Sequence, residues 1–332
     1  MIDSMTASAP GKLILTGEYA VLDGAPALVI AVDRRAVARV RAGAPRGSSA
    51  FLLAVAHELA SRRGATDPAA QAAHEIAVDS TAFYDGLTKP GLGSSAAVTV
   101  VATALAIGAT GPEIKTGGLT PTSGIDRGEI LAIASAAHAA AQAARGARGS
   151  GADIAASVHG GTIVFTAGRV DRHRWPASVR VLPFFTGSSA DTPALITRVA
   201  AARTERRTEV DAALTAVGDA SRAACAALSA PADLAATAMI GAIALAAAAL
   251  DRLSTATGID LVPDCVRAAR SAMSRFGGTA KTTGAGGGDV AFAVIPATAD
   301  VTGATRALIE TGCKPLRLSV DETGVDLRAH AS

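Results

Sequence analysis

Aromatic residues make up only 3% of this 332-residue chain. That scarcity argues against the stacked aromatic platforms on which single-stranded nucleic acids are held. A marked excess of charge of either sign is missing too. Lys and Arg number 31 against 29 Asp and Glu, a net +2 that gives no reason to expect nucleic acid or a membrane surface as partner. Cys225, Cys265 and Cys313 are few, odd in number and widely spaced. They match no metal-site spacing, and buried thiols in a reducing cytoplasm are expected. Met1 to Ala9 lacks the basic start and apolar core of a secretory signal. Leu234 to Leu250 carries no charge, but it is mostly alanine, bracketed by Asp233 and Asp251. It is also shorter than the roughly 20 apolar residues of a membrane span, so a buried, close-packed helix is expected. No stretch reads Gly-x-x-x-x-Gly-Lys-Ser/Thr, which excludes a P-loop.

What is present is enough apolar material, 49% of residues, to build two domains with proper cores. The chain reads as organised around one stretch, Lys89-Pro90-Gly91-Leu92-Gly93-Ser94-Ser95-Ala96-Ala97. It runs straight into a segment of strong helical character. Unpaired N–H groups at a helix start form an anion site, glycines let a phosphate approach closely, and two hydroxyls can bind phosphate oxygen or magnesium. The dinucleotide fingerprint Gly91-x-Gly93-x-x-Ala96, with Glu113 as ribose ligand, is the competing reading. It needs a preceding strand, whereas Phe83 to Pro90 reads as a loop. A serine-capped glycine turn with no ligand is the plainest alternative.

Taken in order, residues 9–17 turn into a short apolar strand, Asp23-Gly24 marks a turn, and Ala27–Val32 and Ala36–Arg41 read as two further strands. Lys12 sits between a glycine and an apolar strand, an awkward place for an idle charge. Ala50–Arg63 has a helix's basic end and glycine stop. Ala77–Ser80 reads as a strand, Gly108–Ser123 as a flexible link and Glu129–Ala144 as a helix. The small-residue run from Arg145 to Ser157 holds Asp153 near a helix start, and Gly160–Phe165 returns as a strand. The composition shifts near Gly168–Pro176, which suggests a domain boundary. Beyond it come a strand at Val179–Phe185 and helices from Ala194, at Glu209–Ala227, Leu234–Leu253 and Pro263–Phe276. A second glycine-rich loop spans Ala280–Asp289, followed by a strand (Val290–Ile295), a helix (Thr302–Thr311) and a last strand (Pro315–Val320). This order suggests an α+β second domain with an antiparallel sheet.

Three of these segments together resemble a known superfamily. Ala9-Pro10-Gly11-Lys12 through Leu22 looks like the first motif of the GHMP kinases, which include galactokinase, homoserine kinase, mevalonate kinase and phosphomevalonate kinase. Gly91–Ala97 resembles the second motif and Lys281–Asp289 the third, in the same order along nearly the whole chain. Within the superfamily, Glu18-Tyr19, Ala137-His138, Gly149-Ser150-Gly151-Ala152-Asp153 and Thr186-Gly187-Ser188-Ser189-Ala190-Asp191-Thr192 lean toward the phosphomevalonate kinase family. Mevalonate kinase and a non-catalytic, metabolite-binding homologue stay open as alternatives.

The resemblance implies an α+β, two-domain GHMP kinase fold. Residues 1–172 would form the ATP-binding N-terminal domain (ribosomal-protein-S5-domain-2-like), and residues 173–332 a ferredoxin-like C-terminal domain. It implies ATP and Mg²⁺ as cofactors, phosphomevalonate as the small-molecule partner, a cytoplasmic location and a monomer or homodimer. Lys12 and Asp153 would be catalytic, with Lys89, Gly91, Leu92, Gly93, Ser94, Ser95 and Ala96 on ATP and both serines on the metal. Glu18, Tyr19, Arg148, Ser150, Gly151, Lys281, Gly284, Ala285 and Gly286 would bind the acceptor, with Arg145 a further candidate cation. Ser123-Gly124-Ile125-Asp126 mimics an acidic motif of mevalonate kinases but precedes the wrong element, so Asp126 is expected to start a helix. Gln142 stands where a mevalonate kinase offers a magnesium-binding Glu.

Overall fold

The computed structural model describes residues 5–40, 49–86, 88–109 and 126–329. The Gly108–Ser123 link from Thr110 onward, together with Glu113, Ser123, Gly124 and Ile125, lies outside the described residues. The first sheet is built on β1 (Met5–Thr16) and β2 (Ala27–Val40), both long and antiparallel. β1 alternates buried and part-exposed residues at its start, the period of a strand with one face on a core. The two strands expected at Ala27–Val32 and Ala36–Arg41 are one continuous strand. Its register against β1 shifts between Pro10 and Gly11, so a bulge, not a break, separates the two apolar stretches.

The helix expected at 50–63 forms as α1 (Ala50–Arg63), followed by the short α2 (Pro68–Ala72) and β3 (Ile76–Asp79), which pairs with β2. α3 (Ser94–Gly108) is apolar all round and buried accordingly, lying on β1 and β2. α4 (Arg127–Ala143) and α5 (Ala152–His159) follow, then the hairpin β4 (Thr162–Thr166) and β5 (Arg169–His173). Asp126 caps α4, its Oδ1 accepting from Gly128 N at 2.8 Å and Glu129 N at 3.1 Å.

The second sheet contains β6 (Val179–Phe185), β7 (Thr279–Thr282), β8 (Val290–Pro296) and the two-residue β9 (Lys314–Pro315), in the order β7-β8-β6-β9. Its helices are α6 (Thr192–Glu205), α7 (Arg207–Ala227), α8 (Ala235–Thr257), α9 (Asp264–Ser274) and α10 (Val301–Glu310). α8 and α9 cover the sheet, and α7 packs on α8 and reaches β1 and β2. α8 is the one helix among the described residues long and apolar enough to cross a membrane. It instead buries Met239, Ile243, Leu250 and Leu253 against its neighbours, while Leu245 stays outside.

The expected α+β architecture is observed, with three differences. Ala280–Thr282, read as the start of a loop, belongs to β7. The expected last strand at Pro315–Val320 contributes only β9 and a single bridge from Val320 to Val32. The chain actually closes with β10 (Asp326–Ala329), which pairs with β1 and makes the first sheet β10-β1-β2-β4-β5. Residues assigned from sequence to the second half thus return to the first sheet, and His173, beyond the expected division at 172/173, still pairs with Thr162.

Candidate active site

The phosphate-binding readings depend on how tightly β1 meets the loop before α3. Lys12 N donates to Leu92 O at 2.9 Å. A Cβ on Gly11 would lie 2.5 Å from that same carbonyl and 2.7 Å from the Phe83 ring, so only glycine allows the approach. The Lys12 stem then runs across Gly93, which opens α3 with φ 80°. No side chain caps the N-terminus of α3, and none reaches from the Ncap position of α5, Gly151. The start of α3 leaves N–H donors and a positive dipole end at one cleft, whereas at the start of α5 Ser150 Oγ accepts from Ala152 N at 3.3 Å and a second N–H is taken by Asp153.

That cleft has a volume of about 310 Å³. It brings together Lys12, Glu18, Tyr19, Lys89, Gly91, Gly93, Ser94, Ser95, Arg145, Arg148, Ser150, Asp153, Gly284, Ala285 and Gly286. Leu92 and Ala96 are buried behind it, Leu92 acting through its carbonyl, and Gly151 supplies the turn into α5 without lining the cleft.

Lys281 is corrected from an acceptor ligand to a structural cation. It is fully buried, and its ammonium donates to Leu15 O at 2.9 Å, to Thr282 O at 2.8 Å and to the Glu18 carboxylate. All three protons are used. Glu18 is buried as well, with Oε2 unpartnered. Tyr19 has φ 59° and donates its hydroxyl to Ala285 O at 2.5 Å, which spends that group on the Ala280–Asp289 loop.

Asp153 opens α5, its Oδ1 accepting from Ile154 N at 2.9 Å. Burial pushes the Lys12 ammonium below its ordinary value, and the carboxylates of Asp153, Asp289 and Glu18 pull it back up. Sequence reasoning gave Asp289 no role. It sits at φ 57°, and a Cβ on Gly91 would lie 2.6 Å from its Oδ2. Its carboxylate accepts from Ala190 N at 3.3 Å, while its backbone N donates to Ser188 O at 2.7 Å. The segment after β6 thereby holds the Ala280–Asp289 loop against the loop that carries Gly91. Burial raises the Asp289 pKa, opposed by the Ala190 N–H and by Lys12. Its place directly after three glycines was the only signal in the sequence. Phe51 and Thr192 also line the cleft without having been assigned to it, and Gln142, noted at the place of a magnesium-binding Glu, lines it too.

A second cavity, of about 340 Å³, shares Tyr19, Leu22 and Ile196 with the cleft. Its Arg203 is already paired with Asp23 and Asp211, so it offers no comparable set of free polar groups among the described residues.

Solved structures align along almost the entire chain. A protein of Listeria innocua matches with TM-score 0.77 at 18% identity, covering 98% of this chain and 99% of its own. Streptococcus pneumoniae phosphomevalonate kinase, solved with phosphomevalonate and AMPPNP, matches with TM-score 0.71 at 17% identity, covering 95% and 99%. Mevalonate kinase, galactokinase and homoserine kinase structures align as well. The chain has the GHMP kinase fold. No protein-family model matches it. Among curated sequences, the phosphomevalonate kinase of Streptomyces sp. (strain CL190) is 29% identical over 391 aligned positions, 96% of this chain and 97% of that protein. The resemblance to the GHMP kinase superfamily, on its phosphomevalonate kinase side, is therefore borne out.

Proposed function

We propose that this chain is an ATP-dependent phosphotransferase that converts (R)-5-phosphomevalonate to 5-diphosphomevalonate, a step of the mevalonate route to isoprenoids. The likeness to kinases of that route supports the phosphotransferase class. The observation that carries the acceptor is the pair Arg145 and Arg148. Both line the cleft beside Asp153, and neither is paired with a carboxylate among the described residues. Free guanidinium groups at one end of a cleft suit an acceptor that already bears a phosphate.

Phosphoryl transfer needs an in-line nucleophile and donors for charge on the transferred group. In this reading Asp153 orients the acceptor's phosphate oxygen toward the nucleotide. Lys12 faces the transferred group and offsets its charge. The N–H groups at the start of α3, with Gly91 and Gly93, hold the nucleotide's phosphates, and Lys89 lies at the edge of that cradle. Residues 1–172 carry most of this machinery, with Gly284, Ala285 and Gly286 closing on it from the other half.

Among the described residues no group of His, Cys, Asp and Glu is arranged to hold a metal alone. The Ser94 and Ser95 hydroxyls, which line the cleft at the start of α3, fit as the protein ligands of a magnesium ion brought in on the nucleotide. Bound there, magnesium would neutralise charge on the nucleotide's phosphates. The test is ADP release with mevalonate, phosphomevalonate, galactose or homoserine as acceptor. Phosphomevalonate should be preferred by a wide margin, and equal or better use of mevalonate would sink the acceptor assignment while leaving the kinase class intact.

A further inference from the structure

His138 is buried to 3% exposure on α4, where an apolar residue would be the simpler choice. Its ring stacks on Phe51 of α1, centroids 5.2 Å apart and planes 20° from parallel. Its Nε2 lies 3.2 Å from Ser95 Oγ. One turn further along α4, Gln142 lines the cleft, so this face of the helix is turned toward the start of α3. Ser95 Oγ makes no other hydrogen bond among the described residues.

A hydroxyl has one proton to place and two lone pairs to offer. If Ser95 donates to His138, its lone pairs face the cleft and suit a cation. If His138 donates instead, the serine proton is free for a phosphate oxygen. The ring is held against Phe51 by stacking, and among the described residues Nε2 is the one hydrogen-bond partner of Ser95 Oγ and so the acceptor for its proton.

We propose that His138 is a positioning residue whose Nε2 accepts the Ser95 proton and so turns the Ser95 lone pairs toward the cation that accompanies a nucleotide. The inference rests on the phosphotransferase reading, and its test needs no turnover. The chain has six histidines, and the His138 signals in ¹⁵N-histidine spectra are those that vanish in His138→Phe. At a pH well above the ordinary histidine range, wild-type protein should show Nδ1 protonated and Nε2 bare.

Calorimetric titration with a non-hydrolysable ATP analogue gives the second readout. Groups that orient a metal ligand typically carry about 10–100-fold in metal affinity. His138→Phe and Ser95→Ala should each weaken binding in magnesium by about tenfold and leave binding in EDTA unchanged. The double variant should bind no worse than Ser95→Ala, since both changes remove one device. His138→Gln, which keeps an acceptor, should recover most of the loss, and it stands in should His138→Phe fail to fold. A protonated Nε2, or losses that add in the double variant, overturns this inference and leaves the kinase reading standing. Failure of the wild-type protein to bind the analogue overturns both.

Discussion

Lys281 and Glu18 meet in the interior with side chains 1% and 0% exposed, tying β7 of the second sheet to the end of β1 in the first. Burial works against both charges, pushing Glu18 up and Lys281 down, and the ion pair opposes each shift. Removing one member leaves the other charged and uncompensated, which costs about 3–5 kcal/mol, whereas replacing both is far milder. Lys281→Met should therefore lower the urea midpoint sharply, and Lys281→Met with Glu18→Gln should recover part of the loss. A double variant as unstable as the single one would mean that the pair does not act as a unit.

Asp153 and Asp126 offer a clean contrast between a cleft carboxylate and a cap. Asp153→Asn should cut turnover by roughly 10²–10⁴-fold, the usual weight of a positioned acid or base. Asp126→Asn should leave turnover alone, since its Oδ1 is spent on Gly128 and Glu129 and Asn caps nearly as well. Steady-state rates of the two purified variants decide between them, and the reverse pattern would reassign the acid.

The Asp126 cap was legible because capping obeys local spacing, and so were α1, β6, β8 and the glycine loops that open on the cleft. What was not legible depends on distant partners. Thr279-Ala280-Lys281-Thr282 has no apolar alternation to announce a strand, and its lysine is tolerated only because Glu18, 263 positions away, meets it. Asp326–Ala329 is short and polar, yet β1 offers it a free edge. Leu316–Val320 shows the alternation of a strand but finds only one bridging partner. Asp289 owes its place to the Ser188–Ala190 turn that holds it.

Lys12 gives the pH dependence a sign. Burial sets its pKa below the ordinary 10.5, so the ammonium is present at lower pH and is lost early as pH rises. A reaction that needs this charge should lose rate on the alkaline side before a free lysine would titrate. Within the same window the unfolded chain holds the extra proton, so this group's contribution to stability rises with pH. Asp289→Asn removes one carboxylate that props up the charge and should move the alkaline limb of the rate profile to lower pH. Lys12→Arg, whose guanidinium stays protonated, should abolish that limb even if the rate falls. An unchanged limb in both variants would assign it to another group.

The acceptor's phosphate is the sharpest test of the two arginines. A phosphomonoester brings about two negative charges near neutral pH. Arg145 and Arg148 stand just ahead of Asp153, in the loop that runs from α4 into α5, and both face the cleft. Losing one charge-assisted contact costs about 1.5–3 kcal/mol, roughly 10–150-fold in affinity. Arg148→Ala should raise the half-saturating phosphomevalonate concentration by that order and change that for ATP much less, because in the proposed reading the nucleotide's phosphates would rest on the start of α3. Arg148→Lys should recover only part, since an ammonium keeps the charge but not the two-pronged geometry. The measurement is a pair of saturation curves for each variant, one in each substrate. A rise for ATP as large as that for the acceptor would put Arg148 on the nucleotide instead.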